Sequence, residues 1–359
     1  MEAAEYQLES KRTENINWLN PHGPDVAILG VIGELGSLAS VLKKHQRDGI
    51  YYSAFEEHFE EELGDILWYA VTIASRLGIK LSEWPTNSEE IADEFEGVYK
   101  IHTSVMKVSL QKGWMFKPDT VDHELALSLI NNLINDLSIL ASYIGTDLKT
   151  IARNSCNKNL SYWAKFNDLP ARTFDRDFPP HEQLPRNFEI DFYGIEDNKA
   201  VIIMMNGVAL GDRLTDNAFV DDGYRFHDVF HIALAATLGW SPVFRRMLKK
   251  KRKSVPKTDE IQDGARAAII EEAIINHVYD YARTSKNYLE GMSRVDLDLI
   301  KRIQNLVRGY EVEKCEPWEW KDSIMKSYKI FRELKSKGSG RVVVDCEKRS
   351  LTLTDIPEK

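Results

Sequence analysis

The chain has 359 residues, 43% of them hydrophobic and 29% charged, with a formal net charge of −9. That length is ample for two buried cores, the composition is ordinary for a globular protein, and the negative balance argues against general nucleic-acid binding. Cys156, Cys315 and Cys346 are widely spaced and make neither a CxxC zinc pattern nor an even disulfide set, so a reducing, cytoplasmic setting is expected. The N-terminal stretch MEAAEYQLESKRTEN is too polar for a signal peptide. No run of about 18 consecutive apolar residues predicts a membrane span.

In chain order, the run 25–44 after the turn NPHGP predicts a helix. It is apolar almost all round up to Leu42 and is therefore expected to be buried, with Gly49 as its stop signal. A second helix is predicted from about Ala54 to Leu77, with Leu63, Ile66, Ala70, Ile73 and Leu77 as its core stripe. Helices over 88–110, 121–144 and 147–166 complete a bundle. The stretch 167–187 holds four of the chain's twelve prolines and predicts an extended linker. Two β-like runs, FEIDFYGI and KAVIIMMN, flank EDN and predict a hairpin. Helices over 222–250, 259–285, 293–311 and 317–336 follow, and the end predicts another hairpin around EKR. The expected fold class is mostly α. An all-α helical bundle covers 1–168, a Pro-rich linker 169–187, and a mainly helical α+β domain with short β-hairpins 188–359.

The acidic run FEEELGDILWYA (59–70) sets like charges beside the most apolar part of its helix. Like charges three and four residues apart repel, so solvent, a salt-bridge partner or a metal ion must offset them. Glu34 stands inside an otherwise apolar helix, where a carboxylate is costly unless paired or metal-bound. Glu62 and Asp65, three apart, share a face that borders the core stripe. One carboxylate facing two from the neighbouring helix makes an oxygen-rich pocket suited to Mg²⁺, with Mn²⁺ as the alternative. Lys43, Lys44 and Arg47 follow on the same helix and are candidates for phosphate oxygens. The opposing reading is a solvated acidic face, and it fits Glu60 and Glu61 best.

GVIGELGSLASVLKKHQRDG followed by EEELGDILWYAVTIASRLGI resembles the MazG-like all-α NTP pyrophosphohydrolases. Their signature is ExxE on one helix and ExxD on the next. Glu62 and Asp65 match the second, and Glu34 matches half of the first, with Ser37 where the other carboxylate would stand. Water or Glu61 is the candidate replacement ligand. IGTDLKTIARNSCNKNLSYW resembles the family's closing segment, which makes Asn154, Asn157 and Lys158 candidates for phosphate contact. The resemblance implies hydrolysis of a nucleoside triphosphate to a monophosphate and pyrophosphate. It also implies a homodimer or higher homo-oligomer, with nucleotide housecleaning or phage defence as roles.

In the second half, His227 and His231 are four apart, hence on one helix face, with Asp228 adjacent. Glu271, Glu272 and His277 come from a later helix. Two imidazoles at that spacing plus a carboxylate suit a transition metal. The opposing reading is a buried polar network joining His227 and Asp228 to Arg225 and Glu271 or Glu272. The run KKKRK (249–253) is a solvated helix end, a nuclear-import patch or a phosphate contact, and Trp318 and Trp320 are expected to pack a helix start. FDRDFPPHEQLPRNFE, LTDNAFVDDGYRFHDVFHIALAATLGWSPV and DGARAAIIEEAI resemble the C-terminal domain appended to a subset of MazG-like proteins, a resemblance that assigns no activity. Three readings therefore stand: a Mg²⁺-dependent pyrophosphohydrolase, a non-catalytic or regulatory nucleotide-binding protein that has lost a ligand at Ser37, and a metal-dependent hydrolase centred on the histidine cluster.

Overall fold

The chain opens with a helix that its apolar pattern does not reveal, α1 (Ala3–Thr13). Its buried face is mixed, made of Ala3, Tyr6, Gln7, Ser10 and Thr13, so the helical spacing exists without hydrophobic contrast. A capping box between Glu2 and Glu5 starts it. The Gln7 amide donates to the Ile79 carbonyl at 2.8 Å and accepts from the Leu81 amide at 2.9 Å. The structure, a computed structural model, describes residues 1–85, 89–163 and 169–358. It divides into two units, Met1–Trp163 and Ala164–Lys359.

In the first unit, α1 is followed by α2 (Gly23–Asp48), α3 (Phe55–Arg76), α4 (Glu94–Ser109), the short α5 (Gly113–Phe116), α6 (His123–Tyr143) and α7 (Leu148–Trp163). Of these, α2, α3, α4, α6 and α7 are the expected bundle helices with adjusted ends, whereas α1 and α5 are not among those expected. Residue 88 and residues 164–166 of the expected spans lie outside the described residues. Asp93 and Asp122 cap α4 and α6 by accepting from the Glu96 and Leu125 amides. Leu38, Leu63, Ile66, Leu67, Ile101, Val105 and Leu137 are fully buried and form the centre of the core.

Two expectations are corrected here. The first α2 expectation, burial on all sides, fails: Val26, Leu29 and Ile32 are 50%, 66% and 37% exposed. The stripe Ala27, Ile28, Val31, Leu35, Leu38, Val41 and Leu42 faces the bundle, which leaves the outer stripe uncovered. The second concerns length and apolarity. The helical stretch Gly23–Tyr51 and α6 are each long and apolar enough to cross a membrane, although no unbroken apolar run announces them.

The second unit has one antiparallel sheet of β1 (Asn187–Ile195), β2 (Ala200–Met205), β3 (Val208–Ala209), β4 (Gly340–Asp345) and β5 (Ser350–Thr354), in the order β3-β2-β1-β4-β5. Both expected hairpins form, and β1 pairs with β4 (Ile190 opposite Val342) to fuse them. Between β3 and β4 run α8 (Asp228–Leu238), α9 (Pro242–Met247), α10 (Pro256–Ile261), α11 (Ala265–Arg283), α12 (Leu297–Leu306) and α13 (Pro317–Lys337). The expected single helix over 222–250 is broken. Gly239 turns the chain at φ 70°, and Ser241 caps a new helix whose first residue is Pro242. The span 259–285 breaks likewise between α10 and α11.

Residues 169–187 are not an extended linker. Asp175, Glu182 and Leu184 are buried in the second unit, and Asp175 pairs with Arg245 at 2.6 Å. Nor is KKKRK a wholly solvated run or helix end. It follows α9, and within it Arg252 is 1% exposed and held by Asp263 and Glu311 at 2.7 Å each. Trp318 and Trp320 do pack the start of α13.

Candidate functional site

The register of α2 against α3 follows from Gly30. A Cβ there would lie 2.2 Å from the Tyr69 ring, so the missing side chain is what lets that ring rest on the α2 backbone. In an antiparallel pair, one turn onward from Gly30 is Glu34 and one turn back from Tyr69 is Asp65. Glu34, Glu62 and Asp65 accordingly converge, with carboxylate oxygens all within 4.8 Å of one another. All three are half-buried, at the edge of the core rather than on a fully solvated face. Burial, with the nearby Glu62 charge, pushes the Tyr52 phenol above its ordinary pKa.

A second close approach brings in α7. A Cβ on Gly64 would meet the Ser155 Cβ at 3.1 Å, and the Ser155 hydroxyl donates to the Gly64 carbonyl at 3.2 Å. Tyr6 of α1 shares a hydrogen bond of 2.8 Å with the same hydroxyl. Lys158, three residues on, reaches Glu61 at 3.0 Å and also pairs with Asp65. Burial disfavours its ammonium, but Asp65 and Glu61 outweigh that and hold its pKa above the ordinary lysine value. Lys158 is therefore the counter-charge of the acidic cluster. Asn154 sits farther out, donating to Glu60 at 3.5 Å, and Asn157 is exposed. Lys43 and Lys44 are exposed, whereas Arg47 is held bidentately by Asp48 at 2.7 Å. Ser37 is half-buried on α2. The spacing argument missed Gly30, Gly64, Tyr69 and Ser155. The available signal was glycine inside otherwise helical runs, which marks close backbone approach.

The second cluster also assembles. His227 closes a 3₁₀ turn and precedes α8, Asp228 is the first residue of α8, and His231 follows one turn later on a helix buried throughout. Ligand atoms of these three residues lie within 4.8 Å of one another. His227 stacks on Tyr224 at 4.3 Å, has Nδ1 2.9 Å from the Tyr224 carbonyl, and has Nε2 3.2 Å from Asp228 Oδ1. His231 has Nδ1 2.7 Å from Glu271, a fully buried carboxylate that also accepts from the Ser241 hydroxyl at 2.5 Å and the Val243 amide at 2.8 Å. Burial pulls the His227 pKa down; for His231 burial is overcome by Glu271, which carries it up to about 10. Glu272 comes within 3.4 Å of His231 Nε2 with its side chain 46% exposed. Arg225 does not join the network with Glu271 or Glu272. It pairs with Asp216 at 2.8 Å and Asp221 at 2.6 Å, because the turn before α8 folds back on it. His277, Glu271 and Glu272 lie outside the group of converging ligand atoms, Glu272 standing at its exposed edge.

Comparison with known proteins agrees with this architecture. A family model described as the MazG C-terminal domain matches residues 169–357. The Gene 37 protein of Mycobacterium phage L5 is 32% identical over 62 residues, which is 17% of this chain and 54% of that protein. The chain thus spans about half the length of that curated relative. No solved structure matches.

Proposed function

The chain belongs to the MazG C-terminal domain family, and from that premise we propose that its first unit is a Mg²⁺-dependent nucleoside triphosphate pyrophosphohydrolase. The observation that carries the reading is the convergence of Glu34, Glu62 and Asp65 from two helices. An all-carboxylate donor set suits a hard divalent cation such as Mg²⁺, or Mn²⁺ in its place, and these three side chains are the ones that would hold it. Such an ion, when bound, neutralises polyphosphate charge and acidifies a coordinated water.

The remaining work falls to the chain itself. Lys158 offsets Glu61 and Asp65 and so lowers the repulsion among the clustered carboxylates. Glu61, held by Lys158 at 3.0 Å, is the carboxylate proposed in place of the one missing at Ser37. Lys43 and Lys44, exposed beyond Glu34 on α2, are the cations offered to outer phosphates, with Asn154 and Asn157 on the α7 side. Nucleotide housecleaning or depletion during phage defence is the biological role proposed.

The test is pyrophosphate release from a panel of NTPs and dNTPs with Mg²⁺. Release by the wild type, lowered at least about 100-fold in Glu62→Gln with the helical circular dichroism unchanged, is the expected result. Nucleotide binding without release from any member of the panel would leave the non-catalytic reading, which the serine at position 37 favours.

A further inference from the structure

We infer that the second unit holds a divalent transition-metal site of its own, built by His227, Asp228 and His231 and completed at its solvent edge by Glu272. The inference is independent of the pyrophosphohydrolase reading, since it uses none of the residues of the first unit.

The tautomers carry the argument. A backbone carbonyl can only accept, so the contact from His227 Nδ1 to the Tyr224 carbonyl requires the proton on Nδ1. In the neutral ring the Nε2 lone pair is then available beside Asp228. Glu271 already accepts from the Ser241 hydroxyl and the Val243 amide, so it is an acceptor toward His231 Nδ1 as well. When the ring is neutral that leaves His231 Nε2 as its lone-pair nitrogen; this fully buried atom makes no hydrogen bond of good geometry, its nearest carboxylate being Glu272 at 3.4 Å. Each imidazole is thus oriented through one nitrogen by a fixed acceptor and has a carboxylate, Asp228 or Glu272, beside the other, which is how metal-ligating histidines are held.

The charge balance agrees. The buried Asp228 and Glu271, with the partly exposed Glu272, surround two imidazoles, an excess of negative charge that a divalent cation offsets. Two nitrogens with one or two carboxylate oxygens select Zn²⁺, Fe²⁺, Mn²⁺ or Co²⁺ over Mg²⁺. The exposed side of Glu272 supplies the path from solvent. Without metal His231 is an imidazolium between Glu271 and Glu272, and a cation bound at Nε2 displaces that proton; the competing arrangement keeps the proton and takes no metal.

The experiment uses the full chain without a polyhistidine tag, in a Glu62→Gln background that weakens the first cluster. The protein is dialysed to equilibrium against micromolar Zn²⁺ or Co²⁺ in excess Mg²⁺, and bound metal is measured by mass spectrometry. One equivalent retained per chain, with affinity reduced about tenfold or more in His227→Gln and in Glu272→Gln, supports the site. Proton NMR of the Co²⁺ form should show two exchangeable, paramagnetically shifted imidazole N–H signals. This readout needs no substitution in the site, should His227→Gln fail to fold. No stoichiometric retention, retention unchanged in both variants, or absence of the shifted signals overturns the proposal.

Discussion

Asp175 shows what a single residue decides in the second unit. It is 1% exposed, pairs with Arg186, and meets Arg245, itself 1% exposed, at 2.6 Å. Burial would raise its pKa, but Arg186 and Arg245 reverse that and hold it below the ordinary carboxylate value of 3.8. Asp175→Asn should cost about 3–5 kcal/mol, because Arg245 would remain buried beside a neutral amide; the midpoint of urea unfolding checks this. The sign of the pH effect follows from the depressed pKa. The stability that Asp175 contributes is complete above its unfolded value and is lost as pH falls through the lower folded value. Wild-type stability should therefore decline on acidification below about pH 4, and the decline should be shallower in Asp175→Asn. The sequence hid this role because proline content dominated the local signal, while the partner Arg245 lies 70 residues away. Ser37 is the opposite case, legible at once as a departure from the ExxE pattern. Ser37→Glu adds a carboxylate near Glu34, so calorimetric Mg²⁺ affinity should rise, by roughly tenfold, through ligand charge alone.

At the scale of elements, one glycine fixes how two helices meet. Gly30→Ala would drive a methyl group to 2.2 Å from the Tyr69 ring. The ring must swing out or α2 and α3 must part. Overpacking of this kind costs about 1–3 kcal/mol, more than the roughly 1 kcal/mol that alanine returns in helix propensity. Lower urea stability and weaker Mg²⁺ binding should appear together, since Glu34 moves with α2. Gly64→Ala, whose methyl group meets the Ser155 Cβ at 3.1 Å, should show the same pair of effects in smaller measure. What the sequence revealed of these elements depended on contrast. α3 has a clean apolar stripe that shows nearly its whole length, and helical spacing places Glu62 and Asp65 on one face, whereas the register that brings Glu34 to them rests on Gly30. α1 lacked such contrast, because half of its buried face is polar. The break after α8 was written in the chain as LGWSP, yet apolar residues on both sides gave one continuous pattern. The two hairpins were local and visible, whereas β1–β4 pairing joins residues about 150 apart and no local pattern encodes it.

For the whole molecule, the outer stripe of α2 is the surface to explain. Val26 and Leu29 are at least half exposed, Ile32 lies beside them, and Ile50 and Tyr51 at the helix exit are each 89% exposed. Exposed apolar side chains at helical spacing mark an interaction site, and the Val26–Leu29–Ile32 stripe on one helix can pair with its own copy about a two-fold axis. This supports the homodimer expected from the resemblance. Sedimentation velocity should give a dimer for the wild type, and Leu29→Asp, which places a charge in the stripe, should shift it toward monomer. Glu34 lies on a different side of α2 from Leu29, and Glu34, Glu62, Asp65 and Lys158 all come from one chain. On the proposed activity, a carboxylate cluster complete within a protomer predicts that pyrophosphate release per chain falls by no more than severalfold in the monomeric variant. A loss as deep as that of Glu62→Gln would instead mean that the second copy supplies part of the nucleotide site.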